Sequence, residues 1–291
     1  GDMWQHPTVV EHVATLRTRG AVIVEPEEGP LASGRSGQGR LADEARILSA
    51  LQAALHPRRD WSGRRLLISA GPTQEAIDPV RFISNRSSGK MGYALAEAAQ
   101  ARGAEVLLVS GPTALTPPAG VELCPVTTAE EMRKAVISRF SWSDTVIMAA
   151  AVADFRPTQP AAQKLKKRRS PVTSLELSPT DDILRELGER RTTQVLVGFA
   201  AETEDLLAHA REKLQAKGVD LLVANDVTAA GSGFGSDTNR VFILDRDGRA
   251  EELPLLPKRE VADRILDRVL TLPTGRRSTK PAAGTGTHRK E

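Results

Sequence analysis

The residues best suited to chemistry lie in a polar segment between an apolar run and a helical pattern. The apolar run is Leu66–Ile68, the polar segment ends in Ser87–Lys90, and the helical pattern continues from Tyr93. Hydroxyl groups, backbone N–H groups and an ammonium at the start of a helix suit an anion, above all a phosphate. The alternative is a capped helix start with a glycine for the turn, because the spacing matches neither Gly-x-Gly-x-x-Gly nor a P-loop.

Two further polar residues lie close to predicted strand ends. Asn85 precedes the phosphate-suited segment, and its amide can hydrogen-bond a reacting carbonyl. Asp154 follows the small residues of Ala149–Val152, which let a flat ligand approach the backbone so that its N–H and C=O groups contact the edge of a base. The alternative for this segment is a tightly packed strand end with Asp154 capping a turn.

The third group is cationic. Lys164 lies ten residues after Asp154 and is suited to fold back over the strand ends and neutralise a phosphate in the transition state. Lys213 and Lys217 are spaced i, i+4 and share one helix face, which is either part of a site or ordinary exposed surface. Phe199 ends a predicted strand, where it either walls a ligand or packs in the core.

Composition excludes several classes of function. The 291 residues suffice for one large or two small domains. A net charge of +3 and 3% aromatic residues argue against a nucleic acid partner, and no apolar run approaches the roughly 18 residues that cross a bilayer. Cys124 is the only cysteine and the five histidines are scattered. We therefore expect a cytoplasmic protein with no disulfide, no zinc site and no membrane partner.

From Arg65 onward, strand and helix patterns alternate. Strands are predicted at Arg65–Ala70, Glu105–Ser110, Leu123–Val126, Thr145–Ala150, Gln194–Ala200 and Asp220–Ala224, with a late hairpin at Arg240–Leu244 and Glu251–Pro254. Helices are predicted at Lys90–Arg102, Ala129–Phe140, Asp182–Arg190, Glu204–Lys217 and Arg259–Leu270, the second opened by a capping box of Thr128 and Glu131. The pattern predicts an α/β, Rossmann-like, mostly parallel sheet flanked by helices, with ligands at the carboxyl ends of its strands.

The two ends of the chain have a different character. Residues 1–61 are predicted to form a helix at Val9–Arg19, a strand at Ala21–Val24, a loop at Glu25–Gly39 and a helix at Ala42–Leu55. This piece is too short to build much core alone, so we expect it to pack on something else. Residues 273–291 are rich in Pro, Gly, Thr and basic residues and are predicted to be disordered.

Taken together, these motifs resemble the phosphopantothenoylcysteine synthetase family, the ligase half of a bifunctional bacterial protein of coenzyme A biosynthesis. The motifs that carry the resemblance are AGPTQEAIDPVRFISNRSSGKMG at 70–92, SGPT at 110–113, AAAVADFRP at 149–157, KLKK at 164–167, GFAAET at 198–203, AND at 224–226 and KRE at 258–260. The resemblance implies a ligase domain at residues 62–272. Residues 1–61 look like the C-terminal remnant of the partner flavin-dependent decarboxylase, without its flavin site, so no flavin and no decarboxylation are expected.

The resemblance also implies a reaction in two halves. The carboxylate of 4'-phosphopantothenate attacks the α-phosphate of CTP, which gives an acyl-cytidylate and pyrophosphate. The amine of L-cysteine then displaces CMP and forms the amide. Bringing anions together requires cations and Mg²⁺. The family works as a homodimer of ligase domains, alongside the decarboxylase domain that is missing here.

Family similarity assigns roles to individual residues. Lys164 serves the first half-reaction, Asn85 holds the acyl intermediate for the second, and Arg81 helps to bind substrate or intermediate. The segment Thr180–Ile183 departs from the Asn-Pro-Asp-Ile that the family often shows, but Asp182 keeps an acidic position near the expected metal. The implied CTP-binding residues are Ser87, Ser88, Gly89, Ala151, Asp154, Phe155, Lys164, Asp181, Asp182, Ile183, Leu184, Phe199, Lys213 and Lys217.

Two other functions compete with this one. A dinucleotide-binding oxidoreductase could use the same sheet, but the first strand is not followed by Gly-x-Gly-x-x-Gly, and the second runs into Ser110-Gly111 instead of an acidic residue. A catalytically silent binding domain is the other alternative. The presence of Asn85 and Lys164 argues against it.

Overall fold

A computed structural model describes residues 3–31, 34, 36–55, 58–166, 174–202, 206–226, 233 and 235–272. The chain divides into two compact units, residues 1–60 and residues 61–291. The tail predicted to be disordered, 273–291, lies outside the described residues. None of the described helices combines the length and apolar character that a bilayer-spanning segment needs.

The first unit holds two helices and a hairpin, namely α1 (Pro7–Thr18), β1 (Glu27–Pro30), β2 (Ser36–Arg40) and α2 (Glu44–Leu55). Both predicted helices are confirmed. The predicted strand at Ala21–Val24 is wrong, and the strands lie in the segment predicted as a loop. The reason is that β1 and β2 pair through their backbones, with Gly29 opposite Gly37, and show none of the apolar alternation that marks a half-buried strand.

The second unit contains the alternating elements predicted from the sequence. Its strands are β3 (Arg65–Ala70), β4 (Gln74–Ala76), β5 (Phe82–Ser84), β6 (Glu105–Ser110), β7 (Glu122–Pro125), β8 (Thr145–Met148), β9 (Phe155–Pro157), β10 (Leu177–Pro179), β11 (Val195–Glu202), β12 (Leu221–Asp226), β13 (Thr238–Asp245) and β14 (Ala250–Pro257). Its helices are α3 (Lys90–Ala101), α4 (Ala129–Arg139), α5 (Ile183–Arg190), α6 (Leu206–Ala216) and α7 (Lys258–Leu270). The capping box of Thr128 and Glu131 at the start of α4 is confirmed.

Eight of these strands form one sheet in the order β14-β13-β12-β11-β8-β3-β6-β7. The strands from β12 to β7 are parallel, and β13 and β14 form the late antiparallel hairpin. Numbered along the chain, the parallel strands lie in the order 3-2-1-4-5-6, with the reversal between β3 and β8. The predicted fold class is confirmed, and this topology places the ligand crevice at the carboxyl ends of β3 and β8.

Helices cover both faces of the sheet because its central strands are buried on both sides. Along β3, Leu66 and Ile68 belong to the core under α3 and α7, whereas Leu67 belongs to the core under α4, α5 and α6. This alternation follows from the period of two in a strand. The two cores fix the helix positions, and therefore fix where the N-termini of α3 and α5 meet the sheet edge.

Two small hairpins follow β3 and β8 and were not predicted. The strand β4 pairs with β5, and β9 pairs with β10, each over three residues. Three residues are too few to show an alternating pattern. Both pairs of strands lie in segments for which the sequence predicted neither a strand nor a helix.

Candidate functional site

A cavity of about 410 Å³ opens at the carboxyl edge of the parallel strands. Its wall includes the segment after β8, residues of β11 and β12, and the starts of α3, α5 and α7. The cavity therefore lies where the order of the parallel strands reverses. Its size is within the range of pockets that bind small molecules.

The start of α3 comes close to the strand β3 because of its glycines. Gly89 has φ +80° and a Cβ there would lie 2.7 Å from Thr113 Cγ2. A Cβ on Gly92 would lie 2.5 Å from the Cβ of Ala70. Since no larger residue fits at either place without movement, these glycines allow the helix N-terminus to face the cavity. Ser87 Oγ accepts the Gly89 N–H at 3.3 Å, which leaves the Ser87 O–H as a donor.

Asn85 is oriented by the backbone after β8. Its Nδ2 donates to the carbonyl oxygens of Val152 at 2.9 Å and Ala151 at 3.3 Å. Because both contacts are carbonyl oxygens, the amide nitrogen must face them, and the group that remains is the acceptor oxygen Oδ1. The side chain is thus arranged to accept a hydrogen bond from a ligand, whereas the sequence suggested that it would contact a carbonyl.

Hydrogen bonds also fix the backbone after β8. The Ala150 N–H donates to Ser69 Oγ at 3.2 Å, and the Ala151 N–H donates to the Gly71 carbonyl at 2.9 Å. Thr180 bonds this segment twice, from its N–H to the Asp154 carbonyl at 2.9 Å and from its Oγ1 to the Ala153 carbonyl at 2.6 Å. The small residues and the start of α5 therefore lie on the same side of the cavity.

Asp182 and Lys217 form an anionic and cationic pair at the α5 N-terminus. Asp182 caps the helix by accepting the Arg185 N–H at 3.1 Å, and its other carboxylate oxygen lies 3.5 Å from Lys217 Nζ. Gly188 makes this pairing possible, since a Cβ there would lie 2.4 Å from the Lys217 carbonyl oxygen. The glycine lets α5 approach the end of α6 and brings Lys217 to the cavity.

Most of the predicted site residues meet around this cavity. The predicted residues that line it are Asn85, Ser87, Ser88, Gly89, Ala151, Asp154, Asp181, Asp182, Ile183, Leu184, Phe199, Lys213 and Lys217. Arg81, Phe155 and Lys164 do not line it. Phe155 is exposed on β9, Lys164 is exposed, and Arg81 binds Asp78 and the Leu165 carbonyl. The roles assigned to these residues stay predictions.

Five polar residues of the cavity wall were absent from the list of predicted site residues, namely Lys90, Thr180, Asn225, Asn239 and Lys258, although Lys90 belongs to the segment that the sequence suited to an anion. Strand direction explains why Asn239 and Lys258 are there. Because β13 is antiparallel to β12, it begins at the carboxyl edge, and β14 ends there. The predicted hairpin already contained this information. Its first strand had to begin at the carboxyl edge and its second strand had to end there, which places both residues at the site.

Comparison with known proteins identifies the family of this chain. Residues 61–272 match the family described as the DNA/pantothenate metabolism flavoprotein C-terminal domain. The chain belongs to this family. The resemblance predicted from the motifs is thereby confirmed.

Named relatives of this family are similar over most of the chain. The coenzyme A biosynthesis bifunctional protein CoaBC of Bacillus subtilis is 49% identical over 281 residues, which are 95% of this chain and 69% of that protein. The protein of the same name from Mycobacterium tuberculosis strain H37Rv is 45% identical over 289 residues, with 94% and 69% covered. A crystal structure of the C-terminal domain of a CoaBC protein superposes with a TM-score of 0.63 at 47% identity, covering 72% of this chain and 96% of that one.

In this family member, two lysines hold the segment before β13 beside the cavity. Lys90 Nζ donates to the Gly235 carbonyl at 3.0 Å and to Asp237 Oδ1 at 2.7 Å. The buried Lys258 donates to the carbonyls of Gly233, at 2.9 Å, and Ser236. Burial, together with the neighbouring charge of Lys90, lowers the pKa of Lys258 to about 8. The charge of this wall therefore changes within the range of ordinary assay pH.

The two aspartates of the cavity wall, Asp181 and Asp182, supply too few ligands to hold Mg²⁺ without a bound nucleotide. Among the described residues, no group of three or more His, Cys, Asp and Glu is arranged to hold a metal ion. Asp181 and Asp182 lie side by side in the cavity wall. Mg²⁺ commonly takes one or two carboxylates and completes its shell with water and substrate phosphates. Asp182 already contacts the Arg185 N–H and Lys217 Nζ, and Asp181 lies 3.7 Å from Arg133 Nε, so most ligands of such an ion would have to come from a bound nucleotide and water.

Proposed function

We propose that residues 62–272 are a ligase that joins 4'-phosphopantothenate and L-cysteine with CTP and releases CMP and pyrophosphate. The observation that carries the proposal is the meeting of thirteen of the sixteen predicted site residues around one cavity at the strand ends. The names of the relatives place those proteins in coenzyme A biosynthesis. This chain therefore acts as an enzyme of that pathway.

In the first half-reaction a carboxylate oxygen forms a bond to the α-phosphorus of CTP, and the bond to pyrophosphate breaks. Both reactants are anions, so the reaction depends on positive charge that is already in place. Lys213 and Lys217 supply it at one side of the cavity, and Ser87–Gly89 at the α3 N-terminus accommodate a phosphate. Mg²⁺, held by Asp181 and Asp182 together with the nucleotide, would supply further screening of phosphate charge.

In the second half-reaction the cysteine amine forms the amide bond, the acyl oxygen–carbon bond breaks, and CMP leaves with the electron pair. The Asn85 oxygen accepts a hydrogen bond from an O–H or N–H of the pantothenoyl group and holds the acyl intermediate in place. The flat backbone of Ala151–Val152 and the nearby Asp154 contact the cytidine. Phe199, Ile183 and Leu184 give that end of the cavity its apolar surface.

The active form is a homodimer of ligase domains. The outer faces of the two small hairpins expose Val80, Phe82, Phe155 and Leu177, and β4 packs against β9. Arg81 and Lys164 lie outside the cavity of their own chain. A second copy that covers these apolar side chains would also place them near the cavity of one of the two chains. Light scattering of Phe82→Asp should give half the mass of the unchanged chain, and an unchanged mass would contradict this face.

We also propose that residues 1–61 form the C-terminal part of a flavin-dependent decarboxylase domain. In support, α1 has no buried residue, and large apolar side chains of the first unit are exposed, including Val10, Leu48, Leu51 and Leu55. Such a surface is typical of a segment that packs on another part of a larger protein.

Ligand-dependent melting tests the main proposal against the oxidoreductase alternative. CTP with Mg²⁺ should raise the melting temperature, whereas NADPH should leave it unchanged, because only a ligand of the folded state stabilises it. Incubation with 4'-phosphopantothenate, L-cysteine and CTP should yield equal amounts of CMP, pyrophosphate and the amide. Stabilisation by NADPH without stabilisation by CTP would overturn the ligase proposal.

A further inference from the structure

A buried carboxylate of the first motif, to which the sequence assigned no role, joins two distant segments of the second unit. The side chain of Asp78 is 0% exposed and lies in the turn between β4 and β5. Its Oδ1 accepts the N–H groups of Val80 at 2.8 Å and Arg81 at 2.9 Å. Its Oδ2 accepts the Arg81 guanidinium, with Nε at 3.0 Å, and the N–H of Leu165 at 3.1 Å.

Arg81 completes the connection from the other side. Its Nη2 contacts Asp78 Oδ2 and also donates to the Leu165 carbonyl at 2.9 Å. Both backbone groups of Leu165 are therefore bound, one by a buried carboxylate and one by the guanidinium that this carboxylate holds. A further bond, from the Ala161 N–H to the Ile77 carbonyl at 2.9 Å, attaches the same stretch to the turn. We call the set of Asp78, Arg81 and Leu165 the Asp78 clasp.

We propose that Asp78 is a positioning residue for the ligase reaction, which fixes Lys164 through the backbone of Leu165 and fixes Arg81 through its guanidinium. The inference rests on the proposed function, because it concerns two residues to which family similarity assigns roles in that reaction. Lys164 is the residue before Leu165, and its side chain is exposed. The hydrogen bonds that the clasp makes to the Leu165 backbone therefore fix the position of the Lys164 backbone.

Charge is essential to this arrangement. All five hydrogen-bond donors around Asp78 approach an acceptor-only carboxylate. The Arg81 guanidinium, with the backbone N–H donors, holds the pKa of Asp78 well below its usual range, so the group stays ionised at any assay pH. An asparagine would direct an NH₂ group at some of these donors, and one of the two segments would lose its partner.

The chain offers a matched control in Asp245. It is buried, accepts the N–H groups of Asp247 and Arg249 at 3.0 Å each, and binds the Arg268 guanidinium. It lies at the β13–β14 turn and does not line the cavity. Asp78→Asn and Asp245→Asn therefore remove the same kind of buried carboxylate at two different places.

Two measurements on the full chain test the inference. Trypsin cleavage after Lys164 is followed by mass spectrometry, with each variant kept equally far below its own melting temperature. Cleavage should be at least tenfold faster in Asp78→Asn than in Asp245→Asn. The kcat for pyrophosphate release from CTP and 4'-phosphopantothenate should fall at least tenfold in Asp78→Asn alone, with the CTP-induced rise in melting temperature retained. The first readout does not depend on activity.

The outcomes separate the inference from the proposed function. Equal cleavage after Lys164 in both variants, or equal kcat per folded molecule, would refute the positioning role of Asp78. A chain that releases no pyrophosphate in its unchanged form would refute the ligase. In that case faster cleavage in Asp78→Asn would still establish the clasp as what fixes the Lys164 segment.

Discussion

At the scale of single residues, orientation decides what a side chain can do. Asn85 directs both hydrogens of its amide at backbone carbonyls, so it offers a ligand an acceptor. An aspartate at this position would place a charged oxygen against the carbonyls of Ala151 and Val152 and would have to turn away. The substitution Asn85→Asp is therefore a change of orientation as well as of charge.

Asn85→Asp should separate the two half-reactions. We expect pyrophosphate release from CTP and 4'-phosphopantothenate to continue, because the lysines of the cavity wall are unchanged, while amide formation falls at least tenfold. Lys164→Gln should lose both steps. Pyrophosphate and amide are measured in the same reaction mixture. An Asn85→Asp chain that forms amide at the normal rate would disprove the role assigned to Asn85.

The lowered pKa of Lys258 predicts that ligand affinity depends on pH. Its pKa is lowered to about 8, so raising the pH from 7 to 9 removes a positive charge from the cavity wall. We expect the affinity for CTP or pyrophosphate to fall about fivefold over this range, the equivalent of about 1 kcal/mol. Lys258→Met should bind more weakly at pH 7 and change less with pH. Lys134→Met, an exposed control on α4, should behave like the unchanged chain.

The lowered pKa of Lys258 also makes the free energy of unfolding depend on pH. Ligand affinity is expected to fall as the pH rises, whereas this contribution to stability rises. In the unfolded chain its pKa is near the ordinary 10.5, so between about pH 8 and 10.5 the unfolded state binds more protons than the folded state. The contribution of Lys258 to the free energy of unfolding therefore rises with pH over this window. Urea unfolding of the unchanged chain and Lys258→Met at pH 7.5 and 9.5 measures the difference. A constant difference would contradict the lowered pKa.

At the scale of elements, the approach of α3 to β3 determines whether the helix N-terminus reaches the ligand. Gly92→Ala would place a Cβ 2.5 Å from the Ala70 Cβ and 3.0 Å from the Ser69 carbonyl oxygen, so the helix must move. We expect a loss of about 1–3 kcal/mol in the free energy of unfolding, with weaker CTP binding.

A glycine at the other end of the same strand separates these two effects. Gly63, just before β3, has φ +76° and open space where the Cβ of an alanine would lie. Gly63→Ala should cost about 1 kcal/mol from backbone strain and leave CTP binding unchanged. Denaturant unfolding and calorimetric titration measure the two quantities. Equal effects of both substitutions on binding would contradict the importance of close packing at Gly92.

Elements with a long pattern could be predicted, and the shortest ones could not. The continuous apolar run of β3 and the alternating helices identified the sheet, since buried parallel strands carry that pattern. The hairpins β4–β5 and β9–β10 have three residues per strand and are held by contacts distant in sequence, such as Thr73 Oγ1 accepting the Ala153 N–H at 2.9 Å. Such contacts leave no local pattern.

At the scale of the whole molecule, topology explains which site residues the sequence could identify. The polar segments after β3 and β8 were predicted to meet because parallel strands end at the same edge. Asn239 and Lys258 were missed because their contribution depends on the direction of the late hairpin. The Asp78 clasp was missed because it joins residues 87 positions apart through a buried carboxylate that resembles any other loop aspartate in sequence.

The second unit should work without the first. It has its own two hydrophobic cores, and its cavity is lined by residues from Asn85 onward. A fragment of residues 61–272 should therefore fold, and CTP with Mg²⁺ should raise its melting temperature as much as that of the full chain. It should also associate less, because removing α1 and α2 removes exposed side chains such as Val10, Leu51 and Leu55. Melting curves and light scattering at equal concentration compare the two proteins, and a fragment that folds but loses the CTP-induced shift would show that residues 1–60 contribute to the site.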